Sequence, residues 1–159
     1  MQLSTKGRYA VMALVDLANQ EGLAGPSTPI CLADIAQRQQ LSLSYLEQLF
    51  GKLRRAGLVL SARGPGGGYC LARSATDIAI ADIVTAVDEP IKATRCEIGS
   101  GGCMAATQPL GCGEKCQTHD LWAELGRQIA LFLRGLSLAD VVAGRVSGRA
   151  VSLSVRGAD

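Results

Sequence analysis

Along the first 57 residues apolar side chains return every three or four positions, and between residues 92 and 117 they stop returning at all. Residues 5–21, TKGRYAVMALVDLANQE, put Tyr9, Ala13 and Leu17 on one stripe that Met12 and Leu14 widen, which predicts an amphipathic helix. GLAGPSTP breaks it. Residues 32–38 predict a second helix of barely two turns, with Leu32, Ile35 and Ala36 inward and Asp34 in its first turn. In QQLSLSYLEQLFGKLRRAGLV, Leu46, Leu49, Phe50 and Leu53 repeat at i, i+3, i+4 and i+7, so a third helix buries that face and turns Tyr45, Glu47, Gln48 and Lys52 outward. Ser44 followed by Glu47 fits a capping box, Ser42 competes as the cap, and Gly57 supplies a stop. LVLSA and YCLA, on either side of RGPGGG, predict two short strands around a glycine-rich turn.

Further on, Ile80, Ile83, Val84 and Val87 form the stripe of a short helix within residues 74–90. From Thr118, a credible cap, Leu121, Trp122, Leu125, Ile129, Phe132 and Leu133 line one side of a longer helix, with Asp120 and Glu124 near its positive end. So apolar a face needs a cover, and the economical one is the same helix of a second copy, giving a homodimer. LADVVAG predicts a last short helix, and the chain beyond residue 144 reads as a flexible tail. Three helices, a tight second-to-third turn and a hairpin are the order of a winged helix-turn-helix. The fold class expected is therefore mainly α with a small β-hairpin: a winged helix-turn-helix domain (1–90), a cysteine-rich loop (91–118), a dimerisation helix with a short follower (119–143) and a tail (144–159).

Composition sharpens this in one respect. The 159 residues are 48% hydrophobic, enough for one modest core, and no run approaches the ~18 apolar residues of a membrane span; with no secretory signal pattern, the reading is a soluble cytoplasmic protein with no membrane partner. The net charge of +2 hides an asymmetry: residues 1–73 carry eight Lys or Arg against four Asp or Glu, and the remainder eight against ten. Between Arg38 and Arg73 stand six basic residues and one acidic, the footprint expected for double-stranded DNA. A recognition helix enters the major groove N-terminus first, so Ser42, Ser44, Tyr45, Glu47 and Gln48 are its candidate base-reading residues. Gln pairs bidentately with adenine, and Glu accepts from cytosine N4. Arg63, at the root of the hairpin tip, is placed for the minor groove or its phosphates. GPGGG is no phosphate-cradling loop, because no Lys-Ser or Lys-Thr follows and a strand rather than a helix comes next. With no paired carboxylates and no nucleophile beside a base, an enzyme is not expected.

The aperiodic stretch holds Cys96, Cys103, Cys112 and Cys116, five glycines between residues 99 and 113, and the only histidine, His119, three residues past Cys116. A loop this long without a periodic element needs something to organise it, and thiolates with an imidazole suit zinc or an iron-sulfur cluster. Zinc sites present short Cys-x-x-Cys hooks; the wider gaps here on a glycine-rich wrap suit a larger group such as a [2Fe-2S] cluster, without excluding structural zinc or a thiol redox switch. Cys31 and Cys70 lie in apolar segments and read as buried packing residues.

STKGRYAV, LSLSYLEQLF, RGPGGGY and ATRC, followed by the cysteine loop and KCQTHDLW, resemble the IscR-type iron-sulfur cluster regulators of bacteria over residues 1–138. The resemblance implies a dimeric repressor or activator with one [2Fe-2S] cluster per subunit, controlling the genes that build clusters. Two winged domains joined through the dimer helix would present two recognition helices to successive major grooves of a pseudo-palindromic operator, and cluster-delivery proteins are expected as further partners. The family's ligand set falls on Cys96, Cys103, Cys116 and His119, and its DNA contacts on Ser42, Ser44, Tyr45, Glu47, Gln48 and Arg63. Cys112 is an additional thiol in a longer loop, and an alternative to His119 as fourth ligand.

Overall fold

The computed structural model describes residues 5–25, 27–87 and 118–147. Helix α1 (Thr5–Ala24) forms the centre, because Ala10, Ala13, Leu14 and Leu17 give it a fully buried stripe on which small residues let other helices approach closely. Tyr9 lies half-buried at the stripe's edge and Met12 faces outward, so the stripe is offset from the one expected. Around α1 pack α2 (Leu32–Gln39), α3 (Leu43–Arg55), strand β2 (Gly68–Leu71), α4 (Ile80–Ala86) and α6 (Leu138–Val142). Strand β1 (Val59–Ala62) pairs antiparallel with β2, and a 3-10 turn spans Ala75–Asp77. Phe50, Leu46 and Leu53 of α3 and Ile35 of α2 are wholly buried, each contributing roughly 1.5–3 kcal/mol.

The α2–α3 corner is fixed twice. Asp16 of α1 is almost fully buried and accepts from Arg38 Nη2 (2.6 Å) and Nε (3.0 Å) and from Gln39 Nε2 (2.7 Å), which holds the end of α2 on α1. Two residues later Gln40 takes φ 54°. The Leu41 N–H donates to the Ala36 carbonyl and the Gln40 N–H to that of Gln37, so α2 ends in a Schellman motif with a non-glycine residue in the left-handed position. The same motif ends α3, where Gly57 occupies that position at φ 69°.

A second closure joins distant parts of the chain. The Ile80 N–H donates to the Leu136 carbonyl (2.9 Å) and the Leu138 N–H to that of Ile78 (2.8 Å), tying the start of α4 to the end of α5 (His119–Arg134). Leu136 and Leu138 enter the core beside Ile78 and Ile83, and Ser137 with Asp140 forms the capping box that starts α6. The piece after the long helix is thus a wall of the same core as the winged unit. The expected tail falls, beyond residue 147, outside the described residues.

Arg38→Met leaves the Asp16 carboxylate buried without its main partner and is expected to cost about 3 kcal/mol. Gln40→Gly, two residues away, relieves the left-handed conformation and is expected to stabilise by about 0.5–1 kcal/mol. Urea titrations of both variants check the opposite signs.

Candidate nucleic-acid interface and cysteine segment

Helix α3 begins at Leu43, with Ser42 as its extended N-cap, two residues before the start a Ser44–Glu47 capping box requires. Ser44 therefore sits inside the first turn, its hydroxyl 3.0 Å from that of Ser42, and neither side chain makes a cap hydrogen bond. The box expected from sequence does not form, and both hydroxyls stay at the surface. Ser42, Ser44, Glu47 and Gln48 are exposed together on the leading turns. Tyr45 is not: it is half-buried, edge-on to Tyr9 with ring centroids 6.1 Å apart, because its spacing from Leu49 brings it to the margin of the buried stripe. Leu43, which the sequence reading left aside, is exposed with the serines.

The hairpin is built against this helix. Tyr69 of β2 packs on Phe50 of α3 (centroids 4.9 Å), and Arg54 Nη1 donates to Ser61 Oγ of β1 at 3.3 Å. Arg54 was not singled out from the sequence, where nothing distinguishes it from its basic neighbours. Ile30 exchanges backbone hydrogen bonds with Tyr69 (2.8 and 2.9 Å), adding a third short rung. That approach leaves no room at Gly68, where a Cβ would stand 2.2 Å from the Ile30 carbonyl oxygen. At the tip, Gly64-Pro65-Gly66-Gly67 closes with the Gly67 N–H donating to the Gly64 carbonyl (2.8 Å) and Gly66 at φ 76°, the geometry of a type II turn with proline and glycine in their preferred places. Arg63 precedes this turn and is exposed. Of the six basic residues counted over 38–73, Arg38 is committed to Asp16, which moves the footprint towards α3 and the hairpin.

Cys96, Cys103, Cys112 and Cys116 lie outside the described residues, as does the side chain of His119, whose backbone opens α5. Thr118 is the N-cap of α5 by position but makes no side-chain cap bond. The apolar stripe of α5 divides along its length. Phe132 and Leu133 are half-buried on the core, Leu125 and Ile129 are half-buried, and Leu121 and Trp122 are exposed by 62% and 44%. Glu124, on the outer face, is held down to about 2 by hydrogen bonds from Arg127 and Gln128. Cys70 is buried as expected, and burial, then the charge of Glu21, pushes its thiol upward, so it stays protonated and packs. Cys31 corrects the sequence reading: it is the exposed N-cap position of α2, outside the apolar face that its neighbours Leu32 and Ile35 occupy. Among the described residues no three His, Cys, Asp or Glu side chains converge on a metal position, and no helix is long and apolar enough to cross a membrane.

A recognition helix with an exposed polar leading face, a pinned preceding helix and a glycine-tipped hairpin define a winged helix-turn-helix DNA-binding protein. Residues 3–144 match the Rrf2 model, described as an iron-dependent transcriptional regulator, and the chain belongs to that family. It is 48% identical over 153 residues to the HTH-type transcriptional regulator IscR of Klebsiella pneumoniae (strain 342), covering 94% of this chain and 86% of that protein. Among solved structures it is similar to T. potens IscR (35% identity, TM-score 0.67, 91% of this chain and 88% of that one). It is similar also to CymR, the global cysteine regulator of B. subtilis (32% identity, TM-score 0.70, 91% and 98%). The chain is an IscR-like transcriptional regulator, not an enzyme.

Gly68→Ala is expected to break the Ile30–Tyr69 rung and expose the amides of both residues to exchange, while the amides of α1 keep their protection. Hydrogen exchange followed by NMR reads this directly.

Proposed function

We propose that this regulator senses iron-sulfur cluster status through a [2Fe-2S] cluster held by Cys96, Cys103, Cys116 and His119, and controls genes for cluster assembly. The observation that carries the reading is the donor set itself: three thiols and an imidazole, in a chain similar to IscR over nearly its whole length. That set fits the group, since thiolate and imidazole ligands are those of such clusters. Cys112 is the alternative to His119 as fourth ligand. A bound cluster supplies Lewis-acidic iron that favours the deprotonated thiols and draws distant cysteines together.

What the chain does with it follows from its anchors. Residue 87, at the near end of the segment, is wholly buried in the core, and α5, at the far end, is clasped to α4 through Leu136 and Leu138. A cluster held by residues between 88 and 119 therefore acts on two elements already joined to the winged unit. The exposed Leu121 and Trp122, with Leu125 and Ile129, cover the same face of a second subunit, while Phe132 and Leu133 fix the helix to its own core. The homodimer offers two α3 helices to successive major grooves of a pseudo-palindromic site. There Ser42, Ser44 and Gln48 meet base edges, Tyr45 supports α3 and reaches the backbone with its hydroxyl, and Arg63 lies at the adjacent minor groove. Glu47 filters: phosphate repels its carboxylate, and only a cytosine amine satisfies it.

Anaerobically purified protein is expected to be coloured and to contain iron and acid-labile sulfide. Cys96→Ala, Cys103→Ala and Cys116→Ala are each expected to abolish the visible absorption while leaving the far-ultraviolet circular dichroism intact. A colourless protein with one zinc per subunit contradicts the cluster. On DNA, Arg63→Ala is expected to weaken binding to all sequences and to lower the salt slope by about 1, whereas Gln48→Ala costs about 1–3 kcal/mol at particular base pairs. Anisotropy titrations at several salt concentrations separate the two.

A further inference from the structure

Leu43 is the first residue of α3 and 40% exposed, the only exposed large apolar side chain of that helix among the described residues. A single exposed leucine is ordinary on a protein surface. Its place is not ordinary. On either side stand Ser42 and Ser44, whose hydroxyls lie against each other, and one turn on stands Glu47, so that Leu43 and Glu47 form one column of the exposed face and Ser44 and Gln48 the next. Tyr45, the other large side chain of the first turn, has its ring half-buried and edge-on to Tyr9. The apolar contact that this leading turn can make with DNA therefore falls to Leu43 alone.

The first residues of a recognition helix approach the base edges most closely. The one apolar group that base pairs display in the major groove is the C5 methyl of thymine. Resting on the reading of the chain as a DNA-binding regulator, we propose that Leu43 is a specificity-determining residue that reads a thymine methyl beside the base met by Glu47. One column then combines two complementary tests, a carboxylate for a cytosine amine and a leucine for a thymine methyl. Together they disfavour sequences that offer neither.

Replacement of thymine by deoxyuracil deletes this methyl and leaves every hydrogen-bonding group in place, so it isolates the contact. The full-length protein is used to enrich a duplex from a random library, and each thymine of the enriched duplex is then replaced in turn by deoxyuracil. For the unaltered protein the affinity is expected to fall about three- to fivefold at one thymine per half-site, the effect of one buried methyl, and to change little elsewhere. Leu43→Ala is expected to bind the thymine and deoxyuracil forms equally, near the affinity of the unaltered protein for the deoxyuracil form. Leu43→Met, which keeps an apolar side chain of similar reach, is expected to retain the discrimination. Indifference of the unaltered protein to every replacement overturns the proposal, as does undiminished discrimination by Leu43→Ala or an enriched half-site without thymine. Failure to enrich any sequence overturns the DNA-regulator reading on which it rests, and is recognisable as that.

Discussion

The structure depends most on the clasp between Ile78–Ile80 and Leu136–Leu138. Two backbone hydrogen bonds there join the residues that enter α4 to those that leave α5, and the adjoining side chains are buried in the same core as α1 and α3. Without it the long helix would be held to the winged unit only by Phe132, Leu133 and its side-by-side packing on α4. With it, the residues just before α4 and those just after α5 share one core. A ligand held between Val87 and α5 would thus act on elements already packed together, which is the physical route by which the cluster proposed above can alter DNA affinity.

The DNA-binding face rests on the same economy. Asp16 spends its buried charge on Arg38 and Gln39 and so fixes the angle from which α3 departs. The left-handed residue at the corner, Gln40, makes the turn tight enough for α3 to begin at Leu43. Tyr69 on Phe50 and Arg54 on Ser61 carry that position into the hairpin, so the wing is packed on the recognition helix.

Where burial is periodic, these elements were legible in the sequence: the stripe Leu46, Leu49, Phe50, Leu53 and the stop at Gly57 describe α3 closely, and Ile80, Ile83 and Val84 describe α4. What was missed has tertiary causes. The Ser44–Glu47 box is a local pattern that gave way to a start two residues earlier, at the competing cap Ser42, and Cys31 faces water although Leu32 and Ile35 beside it are buried. Tyr45 is drawn inward by Tyr9, thirty-six positions away, and the commitment of Arg38 to Asp16 has no local signature either. Nor does the role of Leu136 and Leu138 as core residues, since only the return of the chain after α5 brings them to α1. The dimerisation stripe was read as one continuous face because spacing alone does not say where a helix leaves its own core; Phe132 and Leu133 are on the near side of that point and Leu121 and Trp122 on the far side. The cysteines, by contrast, were legible through composition rather than period.

If the proposed cluster sets operator affinity, titrating one enriched operator with a single anaerobic preparation before and after removal of its cluster will show it. The two affinities are expected to differ at least tenfold, about 1.4 kcal/mol, in dimers of equal secondary structure. Equal affinities for the two forms on every enriched sequence would contradict it.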